Sequence, residues 1–210
     1  MSRDFFEKLP VLGILRGIRE ADIAPLLDLA QEAKLEAIEI TMNTALAEKL
    51  IKKTVKAAKG RIKVGAGTVI DEKSLNRALD SGAEFVVMPI FDLKIVQYCV
   101  RREIPVFPGA LTPTEICHAW DAGATMVKVF PAGCFGPKYF SQLRGPFSQV
   151  KLMAVGGVST DNVQDYFKAG ANAVAIGESI FSLSALKEEN YKPIRESLAK
   201  FLSAAKAAVS

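Results

Sequence analysis

The stretch Ala122-Gly123-Ala124-Thr125-Met126-Val127-Lys128-Val129-Phe130-Pro131 holds the unit from which the fold is read. Gly123 is placed to close a helix in the left-handed conformation, which glycine adopts without a Cβ penalty. An apolar run of strand length follows, and Pro131 stops it, because proline brings no N–H to a ladder. The phrase returns as Ser81-Gly82-Ala83-Glu84 and Ala169-Gly170-Ala171-Asn172. Gly82, Gly123 and Gly170 lie 41 and 47 residues apart, about two strand-helix units each, so they mark alternate strands.

Working outward from this unit, eight apolar runs alternate with amphipathic segments. The runs are Val11 to Leu15, Ala37 to Thr41, Ile62 to Ala66, Glu84 to Met88, Ile104 to Phe107, Thr125 to Phe130, Lys151 to Val155 and Ala173 to Gly177. Helical periodicity fills the intervals, as in Ile23 to Glu32, Ala45 to Ala58, Leu75 to Ser81, Leu93 to Arg102 and Thr114 to Ala122. Parallel strands need such crossovers, since neighbours pointing the same way cannot be joined by a tight hairpin. Eight units in this length predict a compact α/β (β/α)₈ TIM barrel, with a doubly wound open sheet as the alternative. Lys187 to Val209 reads as a last helix over the barrel, with an apolar face through Ile194, Leu198, Phe201 and Leu202.

Size and composition agree with one barrel domain spanning residues 1–210. At 210 residues and 22.7 kDa the chain is too short for two ordinary domains and buries roughly 70% of its unfolded surface. Half its residues are apolar and 24% charged, which excludes disorder and collagen-like repeats. No apolar run reaches bilayer length, and Met1 to Pro10 lacks the apolar stretch of a secretion signal, so a cytoplasmic protein is expected. Cys99, Cys117 and Cys134 form no even disulfide set and no CxxC pair, which predicts reduced thiols. The net charge of +4 is mild and its cations are dispersed, which suits a small anionic substrate and argues against nucleic acid.

In such a barrel the working groups stand at the C-terminal ends of strands. Lys63 and Lys151 begin their runs and should face solvent at the other end. Lys128 stands late in its run, and period-two alternation turns it inward with Met126 and Phe130, leaving Val127 and Val129 to the helices. An ammonium among apolar neighbours loses hydration and is driven toward the neutral amine, a nucleophile for carbonyl carbon. A lysine paired to an internal carboxylate for structure alone is the competing reading. Glu39, inward with Ala37 and Thr41, occupies the matching height and suits either an ion-pair partner or a general acid/base.

Anion-binding features surround this pair. Val155-Gly156-Gly157-Val158 follows the seventh run and Ile176-Gly177-Glu178-Ser179 the eighth, where barrels often hold phosphate on backbone N–H groups. Gly65-Ala66-Gly67-Thr68 offers a close backbone and a hydroxyl to a carboxylate or carbonyl oxygen, without the fingerprint of a dinucleotide site. Arg16 ends the first run and can bind a carboxylate bidentately, or pair with Glu20 at the surface. One histidine, His118 on a surface helix, with no cysteine cluster and no close carboxylate pair, suits a zinc mechanism poorly. No metal and no cofactor is expected.

The motifs Glu39-Ile40-Thr41, Val64-Gly65-Ala66-Gly67-Thr68-Val69, Val106-Phe107-Pro108-Gly109, Lys128-Val129-Phe130-Pro131-Ala132 and Gly156-Gly157 occur in order. With them the chain resembles the 2-keto-3-deoxy-6-phosphogluconate/4-hydroxy-2-oxoglutarate aldolase family, from about Val11 to Phe181. The resemblance implies a homotrimeric barrel and a metal-free, Schiff-base retro-aldol cleavage to pyruvate and an aldehyde, the lyase step of Entner-Doudoroff carbohydrate breakdown. It assigns Lys128 as the Schiff-base lysine and Glu39 as the acid/base. It also assigns Gly67 and Thr68 to the pyruvate carboxylate, Phe130 and Pro89 to the pocket walls, and Gly156, Gly157 and Ser179 to the phosphate, beside Gly177 of the same loop. The implied partners are a 2-keto acid sugar phosphate and pyruvate, with no nucleic acid and no membrane.

Departures point within the family. Asn43 stands where the phosphogluconate branch usually has arginine, and Val155 where it has threonine. Both, with Ile14-Leu15-Arg16-Gly17-Ile18 and Phe135-Gly136-Pro137, resemble the 2-keto-3-deoxy-6-phosphogalactonate branch, in which Arg16 would supply the missing carboxylate charge. Glu178 stands where a small residue is common and would repel phosphate unless it turns outward. Two other classes remain to be distinguished: another phosphate-binding barrel enzyme such as an isomerase or synthase, and a non-catalytic phosphosugar-binding barrel.

Overall fold

The chain is described by a computed structural model covering residues 5, 6 and 8–209. Its strands are β1 (Val11–Leu15), β2 (Ala37–Thr41), β3 (Lys63–Gly67), β4 (Val86–Val87), β5 (Val106–Phe107), β6 (Gly109–Ala110), β7 (Val127–Val129), β8 (Leu152–Val155) and β9 (Ala173–Ile176). They form one parallel sheet in the order β5-β4-β3-β2-β1-β9-β8-β7-β6. The two ends of that order are consecutive in the chain. Pro108 interrupts what is in effect one strand, paired with β4 before the break (Val86↔Val106) and with β7 after it (Gly109↔Lys128). The Lys128 N–H donates to Pro108 O at 2.9 Å and the Thr125 N–H to Val106 O at 3.0 Å, so the ring closes. The fifth run of the sequence thus extends past Phe107, and among the described residues the barrel has nine short strands in eight staves.

Alternation sorts the side chains as expected. Val127, Val129, Ile38 and Ile40 pack outward in the main core with Leu50 and Ile51. Met126, Ala37, Leu12, Val87, Met153 and Ala175 fill the lumen. The lumen is plugged from below by Phe5, whose ring meets Phe85 and Phe107 edge-on with centroids 5.0 and 4.9 Å away. Lys63, at the start of β3, donates to Phe5 O at 2.5 Å and lies 4.9 Å from the Phe5 ring centre, so it fastens the plug.

The outer helices begin where polar caps satisfy their first amides. Asp71 accepts from Ser74 N at 2.6 Å before α3 (Glu72–Asp80), Asp92 from Lys94 N before α4 (Leu93–Arg101), and Thr112 with Glu115 boxes the start of α5 (Pro113–Asp121). The remaining helices are α1 (Ile23–Glu32), α2 (Ala47–Ala58), α6 (Pro137–Arg144), α7 (Val163–Lys168), α8 (Leu183–Lys187) and α9 (Lys192–Val209). Gly82, Gly123 and Gly170 have φ of +89°, +96° and +99°, the helix-ending conformation inferred for the repeat. The expected tail helix from Lys187 is two helices, broken by Glu189 at φ +55°. Its face of Ile194, Leu198, Phe201 and Leu202 is buried, chiefly against α7 rather than across the end of the barrel. Among the described residues no helix is long and apolar enough to cross a membrane.

One polar clamp ties the loop after β1 to the α8–α9 corner. Asp22 is fully buried, takes hydrogen bonds from Arg19 Nη2 at 3.0 Å and Tyr191 Oη at 2.7 Å, and Arg19 Nη2 also donates to Leu186 O at 2.5 Å. Burial alone would raise the Asp22 pKa, but the bonds from Arg19 and Tyr191 outweigh it and hold the carboxyl below its usual range. A depressed pKa adds stability at neutral pH that is lost as the pH falls below about 4. Asp22→Ala leaves the phenol and guanidinium without their acceptor and is expected to cost about 2–3 kcal/mol at pH 7. Urea unfolding measures this; a loss under about 0.5 kcal/mol would contradict it.

Candidate active site

A cavity of about 580 Å³ opens at the C-terminal ends of the strands. Lys128 and Glu39 stand in it, 6% and 1% exposed, on β7 and β2. Among the described residues no hydrogen bond or ion pair joins them, and Glu39 Oε2 has no hydrogen-bond partner. Burial drives the Glu39 pKa up to about 7 against the pull of the Lys128 and Arg16 charges. Burial likewise lowers the pKa of Lys128, aided by Arg16 and opposed by Glu39. Burial thus works against the charged form of each, and among the described residues no ion pair of the kind considered from the sequence joins them. The Lys128 Nζ sits 4.8 Å from the centre of the Phe130 ring, which walls one side.

The space for Glu39 is made by a glycine. A Cβ on Gly67 would strike Glu39 Oε1 and stand 2.6 Å from its Cδ, while one on Gly65 would strike the Phe85 ring. The two glycines of β3 therefore accept neighbouring side chains over bare backbone. Gly67 is buried beneath Glu39 and does not itself line the cavity; Thr68, next in sequence, does. Thr68 has φ +57°, a left-handed conformation that is costly for a β-branched residue. The ladder to β4 skips it: Ala66 N donates to Phe85 O, and the next bond runs from Val69 N to Val87 O.

The loops after β8 and β9 form the opposite wall. Gly156 and Gly157 have φ of +85° and +82°, which requires glycine, and a Cβ on Gly157 would stand 2.8 Å from Gly133 Cα. The Gly133 N–H donates to Gly156 O at 2.8 Å, so the loops after β7 and β8 are fastened together. Pro89, Val155, Gly177 and Ser179 also face the cavity, as does Arg16. Glu20, the alternative partner of Arg16, is engaged by Lys49 at 3.0 Å and by Lys53. The Arg16 loop is held by Gly17 N donating to Thr44 Oγ1 at 3.0 Å. Asn43 is exposed and outside the cavity wall, and His118 lies exposed on α5.

Some lining residues went unremarked in the sequence. Ile14 and Ala175 sit at inward positions of β1 and β9, which alternation marks once those strands are registered. Ser159 and Phe181 arrive from loops, and Leu183 from the start of α8, with no local signal for their approach. A second hollow, about 810 Å³, lies among the strand starts around Phe6, Trp120 and Lys151, at the end of the barrel that is usually structural.

Comparison with known proteins agrees with this geometry. A family model described as "KDPG and KHG aldolase" matches residues 3–197. The 2-dehydro-3-deoxy-6-phosphogalactonate aldolase of Escherichia coli K12 is 31% identical over 175 residues, 83% of this chain and 85% of that protein. The 2-dehydro-3-deoxy-phosphogluconate aldolase of Pseudomonas aeruginosa PAO1 is 35% identical over 170 residues, 80% of this chain and 75% of that protein. A solved structure described as native KDPGal superimposes with a TM-score of 0.90 at 28% identity, covering 99% of both chains. A closed parallel barrel with a buried lysine and glutamate at its mouth, matched over most of its length, thus belongs to the KDPG and KHG aldolase family.

Proposed function

We propose that this chain, acting as one catalytic unit, is a Schiff-base aldolase that cleaves 2-keto-3-deoxy-6-phosphogluconate or its galactonate epimer to pyruvate and glyceraldehyde 3-phosphate. Cleavage of 4-hydroxy-2-oxoglutarate to pyruvate and glyoxylate is the companion reaction. The observation that carries the reading is the buried, unbonded Lys128 beside a buried Glu39 with an unpartnered oxygen. The neutral Nζ adds to the C2 carbonyl, and loss of water gives an iminium. Glu39, directly or through water, takes the proton of the C4 hydroxyl; the C3–C4 bond breaks and its electrons pass into the iminium, giving an enamine and the free aldehyde. Protonation at C3 and hydrolysis return pyruvate and the amine.

Thr68, skipped by the ladder, and Arg16 are assigned to the substrate carboxylate. Phe130 and Pro89 bound the reacting carbons. Gly156, Gly157, Gly177 and Ser179 are assigned to the distal phosphate, consistent with loops after the last two staves. Gly67 acts from outside the wall by making room for Glu39, whereas the exposed Asn43 lies off the cavity wall and is not assigned a contact with substrate. The protein is proposed to work in the cytosol, which three free thiols suit. A homotrimer is proposed, and exposed Leu46, Ile70 and Ile90, which follow the adjacent strands β2, β3 and β4, with Leu93 at the start of α4, are apolar side chains that a second copy would cover.

The two sugar acids differ at C4, and Val155 presents a methyl where a hydroxyl would discriminate. Val155→Thr is expected to shift the ratio of kcat/KM for the two epimers toward the gluconate form by about tenfold. A lactate dehydrogenase-coupled assay reads pyruvate from each. An unchanged ratio would remove Val155 from stereochemical control, and no pyruvate from either epimer would refute the assignment.

A further inference from the structure

The charges of the cavity divide by depth. Lys128 and Glu39 are buried, whereas Arg16 and Glu178 are exposed on loops that follow β1 and β9, neighbouring strands in register Gly13↔Ile176. Arg16 is the single cation of that outer wall among the described residues, and Glu178 is its anion. Glu178 lies between Gly177 and Ser179, residues assigned above to the distal end of the substrate. Among the described residues it makes no hydrogen bond and no ion pair, unlike Glu20, Glu48 and Glu36, which are all engaged. The other groups of this wall, Gly156, Gly157, Ser159 and Ser179, offer backbone and hydroxyls without charge.

With Arg16 assigned to the keto-acid carboxylate, a phosphate held here meets a like charge with no cation of its own, whereas a neutral hydroxyl meets a free carboxylate acceptor. We propose that Glu178 is a specificity-determining residue that relaxes the demand for phosphate, so that the pocket accepts 4-hydroxy-2-keto acids with a neutral, hydroxyl-bearing distal end alongside their phosphorylated counterparts. The inference rests on the aldolase reading and names its substrate class: phosphorylated acids bind at the distal end through backbone donors and the Ser179 hydroxyl, at an affinity that Glu178 reduces.

The test compares 2-keto-3-deoxygluconate with its 6-phosphate, in the parent and in Glu178→Gln and Glu178→Ala. The parent is expected to favour the phosphorylated form by no more than about tenfold in kcat/KM. Both variants are expected to raise that preference by at least about fivefold, through a lower KM for the phosphorylated acid, while the unphosphorylated acid loses up to about threefold. An equilibrium titration with inorganic phosphate, which needs no turnover, is expected to show binding tightened about fivefold in both variants. A parent preference above about a hundredfold, or phosphate binding unchanged in the variants, overturns the proposal. Failure of the aldolase reading looks different: neither acid yields pyruvate, whatever the phosphate titration shows.

Discussion

Replacing Lys128 with methionine is expected to lower kcat by about 10⁴-fold or more while leaving the protein at least as stable. In the proposed mechanism the amine is the atom that becomes covalently bound to substrate, so no neighbouring group can replace it. Its fold contribution is a different matter. Among the described residues the Lys128 amine makes no hydrogen bond or ion pair, and the residue is 6% exposed, so its charged form gains little from the protein and loses its water. Methionine matches its length and keeps the contact with Phe130 without that cost. Thermal unfolding and pyruvate release measured on one preparation separate the two effects. Retained turnover in Lys128→Met would assign the chemistry elsewhere, as an isomerase or synthase of this shape would require.

Glu39→Gln carries the second large effect, and its sign changes between activity and stability. In its proposed role as a base Glu39 must be ionised, and burial raises its pKa to about 7. Activity of the parent is therefore expected to fall as the pH drops through about 7. Glutamine cannot accept the C4 hydroxyl proton, so kcat should fall by about 10²–10⁴-fold and that acid limb should disappear. The stability sign follows from the raised pKa. The folded protein holds the proton more tightly than the unfolded chain, so the contribution of Glu39 is fully present below about 4.5 and is lost as the pH rises through about 7. The loss amounts to about 3 kcal/mol. Glu39→Gln should thus be more stable than the parent at pH 8 by an amount of this order, and lose the advantage at pH 5. Equal stability at both pH values would mean that Glu39 is ionised without cost in the folded protein.

These effects trace to strand alternation, which was legible in the sequence. Lys128 and Glu39 were placed inward by counting residues from Val127 and Ile38, and the barrel has them there. Repeated helix-ending glycines were legible for the same reason: a left-handed residue leaves a mark in the chain itself. What stayed hidden depends on partners distant in sequence. Pro108 ended the fifth run in the sequence reading, yet the chain resumes at Gly109 to meet β7, because ring closure is decided by pairing rather than by local preference. Gly65 and Gly67 read as a surface for ligand oxygens. Their Cβ positions are instead claimed by Phe85 and Glu39, from β4 and β2. The break in the tail was signalled by Pro193 in the first turn of α9, a position proline favours, but the continuous apolar spacing around it masked the signal. Arg16 had two partners in prospect, and the choice came from Lys49 and Lys53 on α2 occupying Glu20.

The central claim is that one sequestered amine condenses with a keto acid, and borohydride tests it most directly. The protein is incubated with pyruvate, reduced, digested and analysed by mass spectrometry. The account predicts a single reduced pyruvate adduct on the peptide containing Lys128, formed equally in Glu39→Gln and absent in Lys128→Met. An unmodified Lys128 peptide, or an adduct distributed over exposed lysines, would contradict it.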